Sequence, residues 1–246
     1  MKPLIACLIT FAFTLVAAIS SAAASSVESG NSYRFQVLLD NKPIGFHHFD
    51  LTETEGGKKV ESRARFDVKL LFITAFKYRH QSVENWRDDC LESIEASTNS
   101  NGKQQTVSAA KQDDVLAIDS NKGNQTVDGC VQTFAYWNPS ILDATQLLNS
   151  QTGDYVDIDI RDLGPDTVLL GDTDVGARKY NIKSMKDYAG KPVDILIWYD
   201  ETNTEWLALE SKAKGDRVLR YERLDLLETH REQRQDAGLM STRVTP

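Results

Sequence analysis

Lys59-Val60-Glu61-Ser62-Arg63-Ala64-Arg65-Phe66-Asp67-Val68-Lys69-Leu70 alternates almost without a break. Val60, Ala64, Phe66, Val68 and Leu70 fall on one side, with Ser62 the one polar residue among them. Lys59, Glu61, Arg63, Arg65, Asp67 and Lys69 fall on the other. Successive side chains of a strand point to opposite faces, so the segment reads as a strand with one buried and one wetted side. A helix would spread the same charges around its whole circumference.

The pattern extends in both directions. Ahead of it, Tyr33, Phe35, Val37 and Leu39 alternate, Asp40-Asn41 marks a turn, and a second strand covers 44–51 before Glu55-Gly56-Gly57 turns the chain again. Behind it, strands are expected near 75–86, 90–98, 104–110 and 114–119. Asn101-Gly102 and Lys122-Gly123 occupy turn positions where positive φ is needed. Val156, Ile158 and Ile160 alternate with Asp157, Asp159 and Arg161, and further strands are expected near 167–170, 177–184, 193–199, 205–211 and 217–224. The strand at 193–199 is apolar on both sides: Leu196 and Trp198 share one face, while Val193, Ile195, Ile197 and Tyr199 share the other. That marks an interior strand.

One stretch reads as helical. Asn138-Pro139 offers an N-cap followed by proline at the first helical position, which predicts a short helix over 140–149. Ile141, Leu142, Thr145 and Leu148 would share its apolar face and could cover one side of the strand at 193–199. The expected fold is therefore mainly β: an antiparallel curved sheet closing into a half-open barrel, with one short helix. A single domain spans 25–227.

The two ends read differently. Met1-Lys2, an apolar run from Leu4 to Ile19, and small residues at 20–24 form a secretory signal with cleavage after Ala24, which predicts a periplasmic protein. The apolar run is about 16 residues, short of the ~20 that span a bilayer. Cys7 has a lipobox-like context, but it sits near the start of the apolar run rather than after it, which argues against lipidation. Residues 228–246 form a polar tail with no sustained apolar face. After cleavage two cysteines remain, Cys90 and Cys130. In an oxidising compartment a lone pair is most simply a disulfide, closing a loop of about 40 residues and stabilising by about 4 kcal/mol in the chain-entropy model. C-x-x-C redox spacing is absent.

Composition excludes some functions. With 28 Lys+Arg against 36 Asp+Glu the net charge is −8, which disfavours nucleic acid as a partner. Among candidate chemistries, Phe76, Tyr78, His80, Ser82, Glu84 and Trp86 share one strand face. A serine-hydrolase triad from Ser82, His80 and Glu84 fails on geometry. His80 lies about 13 Å along the strand from Glu84, and serine rather than histidine is in the middle. These polar groups are expected to be solvated at the mouth of the sheet. His47 and His48 are adjacent and face opposite ways, His80 and His230 have no metal-ligand spacing, and the aspartates around 157–162 and 172–174 lack a calcium-loop pattern. No cofactor or metal is expected.

Taken together, several motifs resemble an uncharacterised family of exported bacterial proteins. They are Tyr33-Arg34-Phe35-Gln36-Val37 with Ile44-Gly45, Glu84-Asn85-Trp86 with Asp89-Cys90-Leu91, and 98–102. Tyr136-Trp137-Asn138-Pro139, Ile197-Trp198-Tyr199-Asp200 and Arg220-Tyr221-Glu222-Arg223-Leu224 complete the set. A more distant similarity is to periplasmic half-barrel proteins, including lipoprotein carriers that shelter acyl chains. That resemblance concerns fold, and fold does not imply function.

The repeated one-sided strands, with little helix to cover them, favour a periplasmic binding module with an apolar concavity for a lipid or other hydrophobic envelope component. Phe66, Tyr78, Trp86 and Trp198 are the candidate lining residues. The alternative is an envelope interaction or structural protein with a filled core, acting on another envelope protein through its surface loops.

Overall fold

The computed structural model describes residues 32–70, 73–186, 192–213, 215–224 and 226. The expected leader at 1–24 and the tail at 228–246 lie outside these residues. The described chain forms one antiparallel sheet of fourteen strands. The first eight are β1 (Ser32–Leu39), β2 (Lys42–Thr54), β3 (Gly57–Leu70), β4 (Ile73–Arg87), β5 (Cys90–Ser100), β6 (Lys103–Gln112), β7 (Val115–Ser120) and β8 (Gly123–Asp128). The rest are β9 (Gln146–Leu148), β10 (Tyr155–Leu170), β11 (Thr173–Ser184), β12 (Asp194–Asp200), β13 (Trp206–Lys212) and β14 (Val218–Arg223).

Every neighbour in the sheet is also a neighbour in sequence except one. β1 pairs with β14, with Phe35 opposite Arg223 and Val37 opposite Tyr221, and so joins the meander β1–β8 to the meander β9–β14. The sheet is thus a curled band left open between β8 and β9, the half-open barrel that alternation implied. Its two ends meet through side chains and a turn rather than a ladder. Lys122 Nζ, beyond β7, donates to Asp154 at 2.6 Å, and Gln125 of β8 donates to the carbonyl of Gly153. Gly153 has φ +76°, and a Cβ there would lie 2.6 Å from the Ser120 Cβ, so only glycine permits this approach.

Residues 129–145 span the open seam as a strap. A disulfide ties Cys130 to Cys90 at the start of β5, with Cα atoms 5.0 Å apart. Leu91 N–H donates to the Val131 carbonyl at 2.8 Å, and Leu148 N–H donates to Gln132 at 2.8 Å. Thr133 forms a parallel bridge with Leu148. Val131, Thr133, Ala135 and Trp137 are buried, and the Tyr199 hydroxyl of β12 donates to the Tyr136 carbonyl at 2.9 Å. The strap therefore touches both walls of the barrel.

The expected helix over 140–149 is corrected. Asn138 does cap, its Oδ1 accepting from Ser140 N–H, and proline does follow, but only a single 3-10 turn forms, Pro139–Asp143. Ala144 is already extended, and Leu147 and Leu148, both fully buried, continue as β9 against β10. Sheet pairing with burial of two successive leucines outweighs one helical face. It is Tyr136 of the strap, not a helix, that meets β12 from inside. The strands expected separately at 156–160 and 167–170 are one strand, β10, which passes Gly164-Pro165 through an irregularity in its register with β11.

One apolar cluster fills most of the barrel interior, centred on Trp206, whose ring lies 4.2 Å from that of Phe35 and 5.3–5.4 Å from those of Tyr136 and Phe49. A second cluster lies on the outer face of β10–β13: Val168, Leu170, Ala177, Trp198, Leu207 and Ala208. β12 feeds both, Ile197 and Tyr199 inward and Trp198 outward.

Candidate functional site

Between the inner face of β2–β4 and that of β12–β14 a cavity of about 300 Å³ is left unfilled. The β2–β4 side supplies His47, Phe49, Val60, Ser62, His80, Ser82 and Glu84. Leu209, Leu219 and Tyr221 face them, and Thr133 to Trp137 of the strap close one end. Exposed Gln151, Pro192 and Lys212 mark where the cavity reaches solvent.

Alternation in β2, β3 and β4 aims the polar groups inward. Antiparallel register sets His47 opposite Ala64, Ala64 opposite His80, and Ser62 opposite Ser82, so the polar side chains converge from three adjacent strands. Each has an anchor. His47 Nε2 is hydrogen-bonded to Ser62 Oγ at 2.8 Å and its Nδ1 to the Tyr221 hydroxyl at 3.2 Å. His80 Nδ1 is hydrogen-bonded to Thr98 Oγ1 at 2.8 Å. Glu84 Oε2 accepts from Trp86 Nε1 at 3.0 Å and from Thr133 Oγ1 at 3.3 Å. His80, Ser82 and Glu84 are only 7%, 4% and 6% exposed, so the expectation that this row is solvated is corrected: it is buried against a cavity that opens to solvent at its rim.

Burial sets the protonation of these groups. Desolvation holds the His47 imidazole well below its ordinary value, with the nearby His80 adding to the effect. His80 is held down to about 4 by burial. Glu84 is pushed up to about 7 because desolvation outweighs its two hydrogen bonds. At neutral pH both imidazoles are uncharged, and the carboxyl is poised between its two forms.

Among the described residues no hydrogen bond joins His80 to Ser82 or to Glu84, so the triad rejected on spacing does not assemble. Ser62 and His47 do form a close pair that the sequence reading passed over. The sole hint was a polar residue, Ser62, on the otherwise apolar face of 59–70. Their third partner, the Tyr221 hydroxyl, is neutral and lacks the charge by which an acid stabilises an imidazolium. No three His, Cys, Asp or Glu among the described residues are placed to hold a metal ion.

The four aromatic candidates separate. Phe66 and Tyr78 stack on each other at 5.0 Å within the main cluster, and Trp86 packs edge-on against Trp137 at 5.3 Å. These three stand behind the cavity wall rather than on it. Trp198 belongs to the outer cluster, donating to Asp166 Oδ2 at 2.9 Å beneath the Lys179 ammonium.

Comparison with known proteins adds fold and family. No curated protein matches the sequence. A solved structure described as a beta-barrel-like protein of domain of unknown function DUF1849, from Brucella abortus, is similar over 79% of this chain and 95% of its own, with a TM-score of 0.58 and 12% identity. That likeness concerns the fold alone. Residues 35–223, from inside β1 to the end of β14, match the model of DUF6134, a domain of unknown function, and the chain belongs to that family.

Proposed function

We propose that the protein is an exported binding module of the cell envelope that takes part of a hydrophobic envelope component into the barrel interior. The observation that carries this reading is the cavity between β2–β4 and β12–β14, with apolar and aromatic groups on one side and buried hydrogen-bonding groups on the other. Ligand sites are concave, mostly apolar and oriented by a few polar groups, and this cavity has those parts. Its volume of about 300 Å³ is at the lower end of such sites, which limits the part held inside the barrel to a few rings or a short acyl segment. Phe49, Leu209 and Tyr221 would contact the apolar part, and His47, Ser82 and Glu84 the polar part.

The test is extraction of protein purified from periplasm, followed by mass spectrometry, with uptake of N-phenyl-1-naphthylamine as a second readout. A co-purifying lipid-like molecule near one per protein, or saturable uptake quenched by Leu209→Trp, supports the reading. Protein that carries no small molecule and takes up no probe overturns it. The filled aromatic cluster around Trp206 favours a second reading, an interaction protein acting through its surface. Crosslinking in intact cells that captures a specific envelope partner from a ligand-free protein would favour that alternative.

A further inference from the structure

Glu84, the acid of the β2–β4 inner wall, is an unusual residue to bury. Glu84 has no Lys, Arg or charged His among its contacts in the described residues, and both of its hydrogen bonds end on Oε2. Oε1 accepts no hydrogen bond from the described residues, and Glu84 lines the cavity. Ser82, two residues away on the same face, also makes no side-chain hydrogen bond there and also lines the cavity. A buried carboxyl without a counter-charge is costly, and the cost is removed when a cation arrives. Tyr136 and Tyr221 present aromatic rings to the same space, and such rings attract cations.

We propose that the ligand is a hydrophobic amine, its protonated nitrogen seated against Glu84 Oε1 and Ser82 Oγ and its apolar body lying along Phe49, Leu209 and Tyr221. This rests on the binding reading above and names the ligand class for the same site. The other titratable groups facing the cavity do not oppose it. His47 and His80 are neutral near pH 7, and the Tyr136 and Tyr221 hydroxyls are held protonated by burial. At the rim, Asp194 and Lys212 carry opposite charges, and Asp194 is also paired with Lys183 at 3.7 Å.

The experiment compares n-octylamine, n-octanol and n-octanoate as competitors of bound N-phenyl-1-naphthylamine, on the wild-type protein and on Glu84→Gln. The variant keeps a side-chain oxygen for Trp86 and Thr133 and replaces the anionic Oε1 with a neutral amide nitrogen. At about pH 8 octylamine should displace the probe about tenfold more effectively than octanol, with octanoate weakest. The amine stays protonated at lower pH while Glu84 gains its proton around pH 7, so its advantage should shrink toward parity by about pH 5.5, with octanol unchanged. In Glu84→Gln the advantage should be lost at every pH while octanol still competes. Octanol equal to or better than octylamine at about pH 8, or an advantage that survives in the variant, overturns the amine proposal and leaves the binding module standing. Failure of the probe itself to bind removes the binding reading and the amine with it. Should the variant not fold, the wild-type pH profile decides alone.

Discussion

The β2–β4 wall and the β12–β14 wall enclose the same space and are built in opposite ways. Inside, β2–β4 set His47, Ser62, His80, Ser82 and Glu84 among Phe49, Val60 and Phe66, whereas β12–β14 carry Ile197, Tyr199, Trp206, Leu209 and Tyr221. Outside, β2–β4 are laced with ions: Asp50 accepts from Arg34 and Arg63, and Asp67 from Arg65 and Arg79. The outside of β10–β13 is a second apolar cluster. β12 and β13 are thus held by burial on both faces. The β2–β4 wall gives up apolar contact at its centre, and a chain does so without loss only if the polar groups are paired or used. Burial thus stabilises one wall, and the proposed recognition falls to the other.

The largest test falls on the apolar wall. Trp206→Ala removes a fully buried ring from the centre of the aromatic cluster and should cost about 4 kcal/mol in urea unfolding. A loss near zero would erase the distinction between the walls. Next is the strap that joins them. Cys90→Ser with Cys130→Ser should cost about 3 kcal/mol, below the chain-entropy figure of about 4 because the unfolded chain keeps residual structure. Hydrogen exchange should show the largest gain in opening at 131–137, which is tied to β5 at that point.

The polar wall should respond with the opposite sign. Glu84 titrates above its ordinary 4.5, so between there and about 7 the folded protein keeps a proton that the unfolded chain releases, and stability falls as pH rises through that window. Glu84→Gln should therefore be more stable than wild type by about 3 kcal/mol at about pH 8 and no different at about pH 4. His80 works in the other direction. Its value, held down to about 4, lies below its ordinary 6.5, so stability is lost as pH falls between those values, and His47 adds to that loss. In the variant, urea midpoints should rise steadily with pH from about 4 to 6.5, and a declining profile would contradict the assignment. The smallest effect belongs to the outer ion pairs. Asp67→Asn should cost about 0.5 kcal/mol, and less in high salt, because both arginines are solvent-accessible.

Much of this was legible in the chain. Alternation at 59–70 placed Val60, Ser62, Ala64 and Phe66 inside, and all four are buried on β3. The doubly apolar run at 193–199 identified an interior strand, and β12 lies between β11 and β13. β8 was missed because Gly123-Asn124-Gln125-Thr126-Val127-Asp128 is almost wholly exposed and carries no alternating apolar signal. β9 was missed because Leu147 and Leu148 are both buried, which period-two reading does not recognise. At the site, the shared face of His80, Ser82 and Glu84 was visible, but its depth was not. A polar row looks the same in sequence whether it meets water or a strap.

Local periodicity and simple counting by themselves determined most of the strands, their inward and outward faces, several hairpin turns and the cysteine pair, because each depends on neighbours a few residues apart or on composition. Only the tertiary structure decided what those faces enclose. The pairing of β1 with β14 and the crossing of residues 129–145 bring together segments far apart in the chain. Whether Glu84 meets solvent, a counter-charge or a cavity is set by those distant partners, which no spacing along β4 encodes.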